Sequence, residues 1–120
     1  QGEPSTGVFS IDFFDANKGI AVGGNYLKDQ DNSNNVLHTI DGGKSWSKSN
    51  LPVLGYRSGV VYVTKNVCVA TGTSGTDLSK DGGETWQNIS TSSFNAVKAF
   101  HNEVFFVGSK GEVYKLAITL

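Results

Sequence analysis

A chain of 120 residues is enough for one domain, and ten basic against eleven acidic side chains leave a net charge of −1. That balance excludes the electrostatic footprint of a nucleic-acid or anionic-membrane binder, and even the longest aliphatic and aromatic runs, such as 60–63, fall far short of the roughly 20 residues of a membrane helix. Cys68 is the one cysteine and cannot form an internal disulfide, while fifteen glycines among 38% apolar residues are too many for a helical bundle and the chain too apolar for disorder.

Short β-branched and aromatic bursts follow one another along the chain, at 8–14, 19–23, 35–40, 59–63, 67–71, 96–100, 104–107 and 113–118. Turn formers cut between them: Asp15-Ala16-Asn17-Lys18, Lys65-Asn66, His101-Asn102 and Ser109-Lys110-Gly111. No window carries a helical period of useful length. The pattern predicts an all-β meander with helix content near nil.

Repetition sharpens this. Thr39-Ile40-Asp41-Gly42-Gly43-Lys44-Ser45-Trp46 returns forty residues later as Ser79-Lys80-Asp81-Gly82-Gly83-Glu84-Thr85-Trp86. Forty residues is the length of a four-stranded propeller blade. A second echo, Ala21-Val22-Gly23, Ala70-Thr71-Gly72 and Phe106-Val107-Gly108, recurs along the chain but does not keep step with the first. The chain therefore reads as about two and three-quarter antiparallel blades: 7–50, 56–90 and an incomplete third at 94–120. The expected setting is a segment of a six- to eight-bladed β-propeller. Gly23 to Asp41 spans eighteen residues but Gly72 to Asp81 only nine, so the first blade carries a nine-residue polar insertion within 24–35.

The octapeptide has the spacing S/T-x-D-x-G-x-S/T-W of the Asp-box, or BNR repeat. Asp41 and Asp81 are expected to accept backbone hydrogen bonds within the turn, and Gly43 and Gly83 to supply positive φ. Thr39 with Ser45, and Ser79 with Thr85, are expected to pair their hydroxyls across the strands, and Trp46 and Trp86 to bury their rings beneath the turn. An aspartate engaged in pinning its own hairpin is not available as a general acid or base, so no catalytic residue is assigned.

The longer frame, Phe14-Asp15, Gly19-Ile20-Ala21-Val22-Gly23, the first octapeptide and Pro52, resembles the Ycf48-like family of propellers, related to photosystem II assembly and stability factors. The resemblance implies a non-catalytic scaffold or interaction module without a cofactor. Asp-boxes also occur in sialidases and xyloglucan-cleaving hydrolases, so the alternative is a fragment of such a glycoside hydrolase whose catalytic residues lie elsewhere. A sialidase resemblance would imply three arginines on a carboxylate, and Arg57 is the only arginine here.

Other candidates follow from placement. Arg57 with Tyr56 opens the second blade and is expected to share a face with Tyr26 of the insertion, making a ligand face for a protein or carbohydrate. Asp29, Asp31, Ser33 and Asn35 alternate oxygen side chains as in half a calcium loop, but Asn34 replaces the required glycine and Ile40 the bidentate glutamate. His38 and His101 lack metal-site spacing, and Cys68 reads as a buried thiol. An arc of blades exposes two flanks, so the expected partners are the remaining blades of a longer propeller or, second, another copy of the chain. The absence of any methionine points to a processed product or a piece of a longer protein, and the low charge with abundant Asn, Ser, Thr and Gly to an exported bacterial one.

Overall fold

A computed structural model describes residues 6–25, 36–48, 57–72, 75–90, 92, 94–100, 103–108 and 110–117. Among them all regular structure is strand. The first sheet joins β1 (Thr6–Phe13), β2 (Gly19–Asn25), β3 (Val36–Thr39) and β4 (Ser47–Lys48). The second joins β5 (Gly59–Tyr62), β6 (Cys68–Gly72), β7 (Gly75–Ser79) and β8 (Gln87–Ser90), and the third joins β9 (Ala96–Phe100), β10 (Glu103–Val107) and β11 (Val113–Ala117). Each is an antiparallel meander in sequence order, as short strands joined by tight turns dictate. No helix among the described residues is long and apolar enough to cross a membrane.

The alternation of side chains along each strand gives the second sheet two apolar faces. Val60, Tyr62, Cys68, Ala70 and Trp86 pack on Ile20, Val22 and Val36 of the first sheet. Val61 and Val69, from the opposite face, pack on Val104 and Phe106 of the third, with Leu78, Phe94, Val97 and Ala99 around them. This explains why β5 and β6 are buried along their whole length: a strand covered on both faces reads as a continuous apolar run. The outer faces of the first and third sheets are left open, exposing Ile11, Phe13, Phe100 and Val113.

The two junctions are made differently. At the first, Val60 N–H donates to Ser10 Oγ at 3.2 Å and Tyr62 N–H to Asp12 Oδ2 at 2.8 Å. Val63 N–H pairs within the sheet with Val67 C=O, so by alternation the amides of Val60 and Tyr62 face away from β6 and would otherwise be orphans. Arg57 N–H also crosses, to Gly23 C=O at 2.8 Å. At the second junction Gly59 stands where Ser10 stood. A Cβ there would come within 3.1 Å of Val97 Cγ1, so its absence lets β9 close in. A polar contact also crosses there, Ser58 Oγ–H to Asn95 C=O at 3.0 Å.

Gly43 and Gly83 make a controlled comparison, with φ of 93° and 99°. A Cβ on Gly83 would lie 2.7 Å from Ile20 Cδ1 of the neighbouring sheet, whereas among the described residues one on Gly43 meets nothing nearer than Trp46 Cζ2 at 3.6 Å. Gly43→Ala is expected to cost about 1–2 kcal/mol from left-handed backbone alone. Gly83→Ala should cost about 1–3 kcal/mol more through overpacking against Ile20. Urea denaturation of the two variants measures the difference; equal losses would contradict the packing of the second turn on the first sheet.

Candidate functional site

Both copies of the octapeptide fold into the same hydrogen-bonded corner. In the first, Thr39 Oγ–H donates to Asp41 Oδ1 at 2.7 Å, Ser45 N–H to the same oxygen at 2.9 Å, and Ser45 Oγ–H to Asp41 Oδ2 at 2.6 Å. Thr39 Oγ in turn accepts Gly43 N–H at 3.0 Å. In the second, Ser79 Oγ–H and Thr85 N–H donate to Asp81 Oδ1, each at 2.9 Å, Thr85 Oγ–H donates to Oδ2, and Gly83 N–H donates to Ser79 Oγ at 2.9 Å. The hydroxyls therefore do not pair with each other across the strands, as the spacing had led one to expect. An ionised carboxylate between them is the stronger acceptor and takes both.

Each indole closes its own turn. Trp46 Nε1–H donates to Gly43 C=O at 3.1 Å and Trp86 Nε1–H to Gly83 C=O at 2.9 Å. Trp86 is buried against the first sheet, while Trp46, half-buried, has Phe13 edge-on at 6.2 Å. Two participants were missed in the sequence. Gly42 and Gly82 also have positive φ, and their N–H groups donate to Asn17 C=O at 2.9 Å and Asn66 C=O at 2.8 Å. The recurrence of Gly-Gly in both octapeptides and of asparagine at 17 and 66 was the signal for them.

These bonds hold the ionised form. Hydroxyl and amide donors from Ser45, with Thr39 behind them, lower the Asp41 carboxyl to about 2. At Asp81 burial pulls the other way, but donors from Thr85 and Ser79 outweigh it and the shift is again downward. Cys68 lies at the junction of the first two sheets, where burial pushes its thiol up to about 12, the setting of an inert side chain.

Arg57 is the main departure. Expected on an exposed ligand face, it is 0% exposed, and Asp77 is 1% exposed. Its Nε donates to Asp77 Oδ2 at 2.9 Å, Nη2 lies 2.7 Å from the same oxygen, and Asn88 Nδ2–H donates to Asp77 Oδ1 at 3.0 Å. Asp77 is in register with Ala70 and Asn88, on the face of the second sheet turned toward the first. Nothing in the sequence singled out Asp77: a lone acid in a short strand has no local signature, and its partner is twenty residues away. His38, in β3, meets Glu84 of the second octapeptide, Nε2 to Oε1 at 2.5 Å. Tyr26, Tyr56, His101 and the calcium-like set Asp29, Asp31, Ser33 and Asn35 lie outside the described residues. Among the described residues no three His, Cys, Asp or Glu side chains cluster as a metal site would need.

The lowered carboxyls contribute stability fully above their ordinary pKa near 4 and lose it as pH falls through the folded value, about 2 for Asp41. The urea midpoint should therefore fall between about pH 4 and pH 2. Asp41→Asn with Asp81→Asn should flatten that fall, leaving the part due to Asp15, lowered by Lys18 and Asn17 amides. An unchanged slope would exclude the turn carboxylates as its source. Arg57→Met should destabilise by about 3–5 kcal/mol because it strands the Asp77 carboxylate, and Arg57→Met with Asp77→Leu should recover most of that loss. Denaturation midpoints of the single and double variants decide it.

No family model and no curated protein matches the chain. Solved structures do. A Ycf48 bound to a D1 peptide superposes with a TM-score of 0.73 at 21% identity, over 92% of this chain and 37% of that one. Ycf48 from Cyanidioschyzon merolae gives 0.69 at 25% identity, over 94% of this chain and 35% of that one. The computationally designed Ika4 protein gives 0.55 at 15% identity, over 99% and 95%. The chain thus spans little more than a third of the Ycf48 structures it matches. Its three sheets have the fold of β-propeller blades and are similar to those of the Ycf48 structures.

Proposed function

We propose that the chain is a non-catalytic segment of an exported bacterial propeller of the Asp-box, Ycf48-like kind, serving as a scaffold that holds an extended segment of a protein partner. The supporting observation is the match along 92% of the chain to a Ycf48 that has a D1 peptide bound. The engagement of both turn carboxylates by their own hydroxyls and amides is consistent with a structural role for Asp41 and Asp81. In this reading Tyr26 and Tyr56, outside the described residues, are the side chains that contact the partner. Arg57 acts as a buried post: through Asp77 and Gly23 it ties the start of β5 to β7 and to the preceding blade. Aromatic side chains supply contact area at low entropic cost, which suits an extended peptide.

Titrating a fluorescent D1 peptide into the chain, followed by anisotropy, tests this. Saturable binding is expected, weakened about tenfold or more, equivalent to about 1.4 kcal/mol, by Tyr26→Ala or Tyr56→Ala. No saturable binding, or variants that bind as well as the parent, would overturn the reading.

A further inference from the structure

We propose that the open flank of blade 3 is a docking surface for a further propeller blade carrying a carboxylate just after its second turn glycine, and that the chain's own blade 1 is not its mate. The inference rests on the ring-segment reading above and adds to it a polarity that the two junctions within the chain reveal.

The blades align position by position through their pairing registers. Asp12, Ile20 and His38 form one cross-strand row on the face of blade 1 turned to blade 2. Its counterparts are Val61, Val69 and Leu78 in blade 2, and Lys98, Phe105 and Lys115 in blade 3. The outer two positions of this row set the polar chemistry of each junction. From blade 1, Asp12 takes the edge amide of Tyr62, and His38 meets Glu84, the residue after the second turn glycine of blade 2. From blade 2 both positions are apolar and meet the apolar inner face of blade 3.

Blade 3 presents lysines at both. Around them Phe100, Val107 and Val113 are exposed, so the flank is apolar with a basic pair set into it. Glu103 shares the face and lies 3.3 Å from Lys115, which leaves the three charged groups at +1. A second copy arriving with its blade 1 would set Lys44, the residue after Gly43, where Glu84 stands at the first junction. It would also turn the edge amide of Phe13, the counterpart of Tyr62, toward Lys98. One contact opposes like charges and the other sets donor against donor; juxtapositions of this kind select against a partner. A blade of the second kind, with glutamate after the glycine pair, would instead complement Lys115.

Sedimentation velocity of the 120-residue chain and its charge variants tests the polarity. The parent should show no closed dimer at up to about 100 µM, and Lys44→Glu should strengthen head-to-tail dimerisation about tenfold or more. Adding Lys115→Glu to Lys44→Glu should return association to the parental level, and Lys115→Glu alone, which then faces Lys44, should strengthen it. The β-sheet circular dichroism of every variant checks folding, and either single variant suffices. A stable closed dimer of the parent would overturn the proposal while leaving the ring-segment reading intact. Association indifferent to these charges would overturn it as well. Failure of peptide binding bears on the functional reading alone.

Discussion

The structure depends on a carboxylate holding a two-glycine corner flat enough for the next layer to rest on it. Asp81 collects its own strand's hydroxyl, the returning strand's hydroxyl and one amide, while Ser79 collects the Gly83 amide. Satisfied internally, the corner has no need of water on the side where it meets Ile20. Gly82 lies as close to Lys18, whose Nζ a Cβ would meet at 2.8 Å. A turn with side chains at 82 and 83 would hold blade 2 away from blade 1 and open the core formed by Ile20, Val22, Val36 and Trp86.

Around that corner the junctions follow different rules on one backbone. Blade 1 offers acceptors, Ser10 and Asp12, to the bare edge of β5. Blade 2 offers a glycine and valines, and gains close approach to Val97 instead. The buried pair of Arg57 and Asp77 adds a third device, a charge matched inside the first junction and completed by Asn88. Such a pair contributes more to a unique arrangement than to raw stability, because its desolvation offsets much of its attraction. The two junctions thereby differ in their contacts, although all three blades share a fold.

The octapeptide shows how far a local signal reaches. Asp, Gly and Trp at fixed offsets determine one hairpin, since its carboxylate, hydroxyl and indole bonds join residues no more than four apart. The all-β class and the sheet order follow from short alternating bursts and from turns too tight to permit a crossover. Arg57 was legible only as a charge beside a loop. Its burial comes from the close approach of blade 1 through Gly23, which no window of sequence contains. The hydroxyls of Thr39 and Ser45 were expected to pair with each other across two strands, but Ser45 lies in the turn before β4 and both donate to Asp41, because spacing brings them together without ranking their acceptors.

By itself, then, the sequence determined the strands, their meander order and the two locked corners, all products of interactions within about four residues or across one hairpin. Tertiary structure alone decided which face of each blade meets which neighbour, that Gly83 is pressed by Ile20 while Gly43 is not, and that the single arginine is an internal strut. The physical reason is that a strand's alternation defines two faces without naming them. The packing of one twisted sheet on the next assigns them, and with them the burial of every charge between.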